Sequence, residues 1–225
     1  IVIDDSSGFQ ETWHYPMMLA QFEGRCTLVR RAEHHGRIPN FLLAINEICA
    51  RADSLIVVLD QDDFLMQDDV VAQLLEAKKH GCDLIQMPMY RPEKPLKQYQ
   101  PDYHQPRLKG GGNTWVHLRA FQRSLFQKVP ESYFKRPQGG WFDSATDYAT
   151  MLPMSELAKQ PTFLDTGYAY WHERAPYDQR ELSHQAQLIP EILAKPSARE
   201  PAELGRADEE SETLPAKQRG RTTTS

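Results

Sequence analysis

The stretch Leu55-Ile-Val-Val-Leu-Asp-Gln-Asp-Asp63 joins five consecutive apolar residues to four polar ones, three of which are aspartates. A short, continuous apolar run is typical of a strand buried in a parallel sheet, and ligands in open α/β sheets bind beyond the carboxyl ends of such strands. Clustered carboxylates repel one another unless a cation neutralises them, and oxygen ligands favour Mg²⁺ or Mn²⁺ over zinc. The stretch therefore predicts a metal-dependent site at a sheet edge. The alternative is that the two adjacent aspartates simply open a polar loop.

Composition limits the class of protein. The chain has 225 residues, 40% of them hydrophobic, which suffices for one substantial core and a smaller appended lobe. No apolar stretch approaches the roughly 20 residues needed to cross a bilayer, and no stretch has the pattern of a signal peptide. Three scattered cysteines favour reduced thiols, so we expect a cytoplasmic protein. This expectation extends to a cytoplasmic protein that associates with a membrane surface. A net charge of -5 gives no reason to expect nucleic acid as a partner.

The first 90 residues alternate between strand-like and helix-like patterns. Strand patterns begin at Ile1, Cys26, Leu55 and Asp83, and helix patterns begin near Glu11, Pro39 and Asp68. In the helix that follows Asp68, the spacing predicts that Val70, Val71, Leu74 and Leu75 face the core. Such alternation favours a mostly parallel sheet with helices on its faces.

The second half of the chain shows mainly helical spacing. Helices are predicted from Trp115 to Phe126, from Asp147 to Met154 and from Glu181 to Leu193, with a strand from Thr162 to Trp171. On the first of these helices Arg119 and Arg123 lie one turn apart, and a solvated face is the expectation. Residues 91–106 carry four prolines and little periodicity, which favours a linker or a mobile active-site loop.

Two acidic turns follow predicted strands of the same sheet. Asp4 and Asp5 end the first strand, and Asp60 to Asp63 follow the third. A carboxylate can accept hydrogen bonds from a pyrimidine or a ribose, and a divalent ion beside it can neutralise a diphosphate. The pair of turns thus favours a nucleotide-diphosphate site, while an Asx-turn that closes the strand remains the alternative for Asp4 and Asp5.

Several separated motifs resemble the family 2 glycosyltransferases of GT-A fold. Ile1-Val-Ile-Asp-Asp-Ser-Ser7 resembles the Asp-Asp-x-Ser turn of that family, Gly36 with Asn40 its Gly-x-x-x-Asn segment, and Leu59-Asp-Gln-Asp-Asp63 its Asp-x-Asp metal motif. Residues 115–126 are similar to the segment after the metal motif in a subset of these enzymes, and residues 147–154 to the helix start that carries the catalytic base. The resemblance covers about residues 1 to 195.

This resemblance implies a GT-A, Rossmann-like fold, in which a mostly parallel sheet is flanked by helices and a smaller acceptor-side lobe is added. Residues 1–109 would form the part that binds the nucleotide sugar, residues 110–195 the part with the acceptor site and the base, and residues 196–225 a disordered tail. The first strand of the family has no counterpart here. Thr146 stands where an acidic residue commonly precedes the base.

The resemblance also implies a function, namely metal-dependent, inverting transfer of a sugar from a nucleotide-diphosphate sugar to a hydroxyl of a glycan, lipid or small molecule. Asp5, Asn40 and Asp62 would contact the nucleotide sugar, and Asp62 and Asp63 would bind Mn²⁺ or Mg²⁺. Asp147 would be the base, and its position in the first turn of a predicted helix favours the ionised form. The alternative is that Asp147 or Thr146 merely caps that helix.

His172 is a candidate metal ligand on other grounds, because it follows a strand-like run. A histidine beside aromatic residues is, however, more often packed or on the surface.

Two competing interpretations stay open at this point. A hydrophobic strand that ends in Asp-x-Asp also resembles the haloacid-dehalogenase-like phosphatases, with Asp60 as nucleophile and Asp62 as acid, although no second acidic pair in a Gly-Asp context follows downstream. The other is a non-catalytic, truncated module that binds a sugar nucleotide.

Overall fold

The computed structural model describes residues 1–8, 12–22, 24–60, 63–92, 100–108, 115–172 and 179–199. The strands are β1 (Val2–Asp4), β2 (Leu28–Arg30), β3 (Leu55–Val58), β4 (Phe64–Leu65), β5 (Leu84–Gln86), β6 (Met89–Tyr90), β7 (Arg119–Gln122), β8 (Pro161–Phe163) and β9 (Tyr170–Trp171). The α-helices are α1 (Tyr15–Gln21), α2 (Arg37–Leu42), α3 (Val70–Lys79), α4 (Arg123–Phe126), α5 (Thr146–Leu157) and α6 (Gln179–Leu193). A π-helical segment (Leu43–Ile48) continues α2, and a 3-10 turn (Glu131–Phe134) follows α4.

The described strands form three sheets. β1 and β2 pair in parallel. The four-stranded sheet has the order β3-β7-β5-β8, in which β7 is antiparallel to both β3 and β5 while β8 is parallel to β5. The third sheet has the order β4-β9-β6. The expected α/β class is therefore confirmed, but the main sheet is mixed rather than mostly parallel, because β7 inserts between two strands that precede it in the chain.

The four-stranded sheet separates two hydrophobic clusters. Leu84 and Phe121, which lie opposite each other in the register of β5 and β7, pack into a cluster with residues of α2, α5 and α6. The next pair, Ile85 and Ala120, faces the other side and packs with residues of α3. This alternation follows from the two-residue period of a strand, and it buries the sheet on both faces.

Two features of the helix predictions are wrong. The segment from Trp115 to Phe126 forms β7 and the short helix α4 instead of one helix, since its backbone bonds with two flanking strands outweigh a local apolar spacing. In α3, Val71 and Leu75 are 53% and 47% exposed, so the buried stripe of this helix is narrower than expected.

The three cysteines are free thiols, as expected. None of the helices in the described ranges is long and apolar enough to cross a membrane. Residues 200–225 of the predicted disordered tail lie outside the described residues, as does the glycine run at 110–112.

Candidate active site

A cleft of about 620 Å³ lies between β1 and β3. Its apolar wall comes from residues 55–59 and from helix α2 with its π-helical continuation, and its polar side chains include Asp5, Arg37, Asn40 and Asp60. Larger cavities of about 720 and 780 Å³ lie around the segment 100–108. They lie away from both acidic strand ends, whereas the cleft between β1 and β3 joins them.

Asp4 and Asp5, although adjacent, have different environments. Asp4 is buried, accepts a hydrogen bond from the N–H of Ser7 at 2.9 Å, and pairs with Arg30 at 3.1 Å. Asp4 thus has the local, turn-closing role that the alternative expected, although its bond reaches three residues on rather than the two of an Asx-turn. Asp5 lines the cleft.

The carboxylate of Asp5 is held by backbone amides at the start of α2. Its Oδ1 accepts from the N–H of His35 at 2.9 Å and its Oδ2 from the N–H of Gly36 at 2.7 Å. Gly36 has a φ of 86°, a conformation that favours glycine. Burial alone raises the pKa of Asp5, but these bonds and one from the Asn40 side chain lower it overall. Asp5 is thus an ionised acceptor at neutral pH, with Asn40 beside it.

Two side chains, His117 and Arg119, connect Asp60, after β3, with Asp147, at the start of α5. His117 Nε2 lies 3.2 Å from Asp60 Oδ2 and 2.8 Å from Arg119 Nη2. Arg119 Nη1 in turn donates to Asp147 Oδ1 at 2.5 Å. His117 Nδ1 lies 3.4 Å from the carbonyl oxygen of Val58 on β3.

Arg119 is the residue whose position differs most from the sequence-based expectation. Its side chain is 2% exposed, although the sequence suggested a solvated helix face. It lies on β7, paired with Val58 on one side and Gln86 on the other. The available signal was the two-residue spacing of His117 and Arg119, since side chains two apart in an extended segment point to the same face.

Arg37 lies between the two ends of this row of side chains. Its guanidinium is 3.6 Å from Asp60 Oδ2 and 3.8 Å from Asp147 Oδ1, and its side chain is 47% exposed. Burial raises the pKa of both aspartates, but the combined influence of His117, Arg119 and Arg37 lowers each of them below its usual value. Both carboxylates are therefore ionised at neutral pH.

Asp147 does not cap its helix. Ala145 is the N-cap residue and no side chain makes a capping bond. The carboxylate of Asp147 instead binds Arg119 and remains 35% exposed. The capping alternative is thus not supported.

Asp63 and His172, both expected as metal ligands, are neighbours. His172 Nδ1 lies 3.2 and 3.1 Å from the two carboxylate oxygens of Asp63, whose side chain is fully buried. Tyr170 donates its O–H to Asp63 Oδ2 at 2.5 Å and accepts from the N–H of Asp60 at 3.2 Å. The Tyr170 ring also stacks on His117, with centroids 5.0 Å apart. Through Tyr170, the pair of Asp63 and His172 is thereby connected to the row of side chains that runs from Asp60 to Asp147.

Asp62, the remaining expected ligand, lies outside the described residues. Within the described ranges, no three His, Cys, Asp or Glu side chains gather into a metal-binding group. A buried carboxylate next to an imidazole nevertheless suits a divalent ion such as Mn²⁺, so the Asp63 and His172 side chains are of a type that fits the expected ion.

Comparisons with known proteins identify a family and similar folds. The family model described as "Glycosyl transferase family 2" matches residues 1–141. No curated protein gives a significant match.

Solved structures of TarS from S. aureus are similar in fold. TarS 1-349 in complex with UDP is 14% identical, with a TM-score of 0.54, over 85% of this chain and 60% of that one. TarS 1-349 in complex with UDP-GlcNAc is 12% identical, with a TM-score of 0.53, over 81% of this chain and 50% of that one. The match thus spans less than two thirds of either TarS chain. The similarity confirms the expected GT-A fold.

Proposed function

Because the chain belongs to glycosyl transferase family 2, we propose that it transfers a sugar from a nucleotide-diphosphate sugar to an acceptor hydroxyl, with inversion at the anomeric carbon. The observation that carries this proposal is the convergence of the acidic groups. Asp5 and Asp60 line one cleft, and Asp147 is reached from Asp60 through Arg37. A phosphatase interpretation of Asp60 disagrees with the family match, which includes the whole aspartate run.

The donor would bind along the cleft. Asp5, held ionised by two backbone amides, can accept a hydrogen bond from an N–H of the nucleobase. The Asn40 side chain lies beside Asp5. The apolar wall formed by residues 55–59 can pack against the nucleobase or the ribose of the donor. Two of the similar TarS structures are complexes with UDP and with UDP-GlcNAc, which makes a uridine diphosphate sugar the first donor to test.

Asp63 and His172, together with Asp62, would hold Mn²⁺ or Mg²⁺. When bound there, such an ion would neutralise negative charge on the diphosphate leaving group. The hydrogen bond from Tyr170 and the burial of Asp63 fix the orientation of the first of these ligands.

Asp147 would act as the base. Its carboxylate would take the proton of the acceptor hydroxyl while that oxygen forms a bond to the anomeric carbon. The bond from the anomeric carbon to the diphosphate breaks at the same time, and its electron pair leaves with the diphosphate. A single displacement of this kind inverts the anomeric centre and requires no enzyme nucleophile. Arg119 would hold the carboxylate in place for this step.

The direct test is release of UDP from a panel of UDP-sugars, measured with Mn²⁺, with Mg²⁺ and with a chelator. Transfer requires an acceptor, so slow hydrolysis of the donor serves as the first readout and a panel of glycan, lipid and small-molecule acceptors as the second. Donor binding without release in any of these conditions would favour the non-catalytic module. Release of phosphate from a simple monoester would contradict the proposal.

A further inference from the structure

We propose, resting on the function above, that Arg37 binds the diphosphate of the donor, and that before the donor binds the same guanidinium screens Asp60 from Asp147. Arg37 is the first residue of α2 and follows Gly36, whose N–H binds Asp5. It lines the cleft together with Asp5, Asn40 and Asp60. It therefore lines the cleft that would hold the nucleobase, and its guanidinium also lies 3.8 Å from Asp147.

The contacts of Arg37 are those of a group that is free to change partners. Its distances of 3.6 and 3.8 Å to the two aspartates are both longer than a hydrogen bond. Within the described part of the chain it makes no hydrogen bond. Arg119, by contrast, is 2% exposed and binds Asp147 at 2.5 Å and His117 at 2.8 Å. Arg119 is thus fixed by its neighbours, whereas Arg37 is held only by charge.

The charge of the cleft favours such a cation in addition to the proposed metal ion. A diphosphate that enters beside the carboxyl groups of Asp5 and Asp60 meets negative charge on the cleft wall. Among the described residues that line the cleft, Arg37 is the one arginine or lysine. The nearby Arg30 and Arg31 are engaged, since Arg30 pairs with Asp4 and Arg31 binds the amide oxygen of Asn40. A guanidinium can also bind phosphate oxygens through two parallel hydrogen bonds, which an ammonium cannot do.

A turn of Arg37 toward the diphosphate would also affect Asp147, the proposed catalytic base. Asp147 faces three cationic or titratable groups, namely Arg119 and His117 from the β7 segment and Arg37 from α2, and Tyr148 neighbours it on its own helix. When Arg37 turns to the diphosphate, Asp147 loses one positive neighbour and becomes a stronger proton acceptor. Donor binding would then prepare the base for the acceptor.

The test compares UDP with uridine as probes, by calorimetry in the presence of Mn²⁺. In Arg37→Gln, we expect affinity for UDP to fall about tenfold or more, while affinity for uridine stays unchanged, since uridine lacks the diphosphate. Arg37→Lys should lose part of this affinity, because it keeps the charge but not the paired hydrogen bonds. The matched control is Arg51→Gln, which removes an exposed arginine that pairs with Asp53 at 3.1 Å and does not line the cleft.

The outcomes separate this inference from the proposed function. Unchanged UDP affinity in Arg37→Gln, with normal binding by the unaltered protein, overturns the role of Arg37 alone. Equal losses for UDP and uridine also overturn it, since they indicate a structural effect. If the unaltered protein binds no nucleoside diphosphate, the proposed function fails and this inference with it. Should Arg37→Gln not fold, Arg37→Lys carries the same comparison, and an unchanged UDP affinity in that variant overturns the paired contact.

Discussion

Arg119 Nη1 donates a hydrogen bond of 2.5 Å to Asp147 Oδ1, and this contact joins the strand β7 to the first turn of α5. A buried guanidinium requires a counter-charge, and Arg119 is 2% exposed. Asp147 supplies that charge while 35% of its side chain stays accessible. The pair therefore anchors a partly exposed carboxylate to the core of the sheet.

Asp147→Asn should remove most of the turnover and leave donor binding intact. The amide oxygen can still accept from Arg119, but an amide is not a base, so we expect a loss of about 10²- to 10⁴-fold in kcat. The measurements are UDP release under saturating donor and acceptor, and UDP affinity by calorimetry. Normal turnover in this variant would remove Asp147 from the mechanism.

Asp147→Ala should in addition destabilise the fold. It leaves the Arg119 charge without this partner, and breaking a fully buried pair costs about 3–5 kcal/mol. Because Asp147 is partly exposed, we expect a smaller loss than that in the free energy of unfolding by urea. Asp143→Ala is the control, since Asp143 is 68% exposed and pairs with His184. Equal stability of the two variants would contradict a structural role for the Arg119 pair.

His172→Ala and Asp63→Asn should abolish the part of nucleotide stabilisation that depends on metal. A ligand at about 100 times its dissociation constant stabilises by roughly 2.7 kcal/mol, which a thermal-shift assay detects. We expect the shift by UDP to be the same with Mn²⁺ and with a chelator in either variant. Asp53→Ala, at an exposed site, should behave like the unaltered protein. A retained Mn²⁺ effect in both site variants would exclude this metal position.

Acid should weaken the fold through Asp60 and Asp147. The pKa of each is lowered in the folded protein, so the stability they contribute is fully present above the unfolded value of about 3.9 and is lost as pH falls through the folded values. Urea unfolding measured between pH 7 and pH 2.5 should therefore show a steep loss below about pH 4. In Asp60→Asn this loss should be shallower. If the free energy of unfolding of Asp60→Asn depended on pH as steeply as that of the unaltered protein, Asp60 would not contribute to the acid sensitivity.

The acidic ends of the strands were accessible to sequence reasoning because their signals are local. An apolar run followed by aspartates marks β3 and Asp60, and the helix pattern after Asp147 correctly places that residue in the first turn of α5. The family resemblance added Asn40, whose side chain does contact Asp5. Each of these signals lies within a few residues of the position that it predicts.

The positively charged half of the site was missed for a physical reason. Short apolar runs do not distinguish helix from strand, and the segment of Arg119 became a strand only because β3 and β5 supply hydrogen bonds on both sides. The contact of Asp63 with His172 joins residues 109 positions apart. The sequence named each of them as a candidate metal ligand on separate grounds, but their direct contact is visible only in the folded chain.

The antiparallel insertion of β7 also constrains how this protein folds. Asp60 meets His117, Asp63 meets Tyr170, and β3 finds its neighbour in β7, so every one of these partners comes from beyond residue 110. While a ribosome is still synthesising the chain, Asp60 and Asp63 lack these particular partners and one side of β3 is unpaired until that later segment emerges. The two halves of the sequence should consequently unfold in a single cooperative transition, and a fragment that stops near residue 110 should not hold the native sheet.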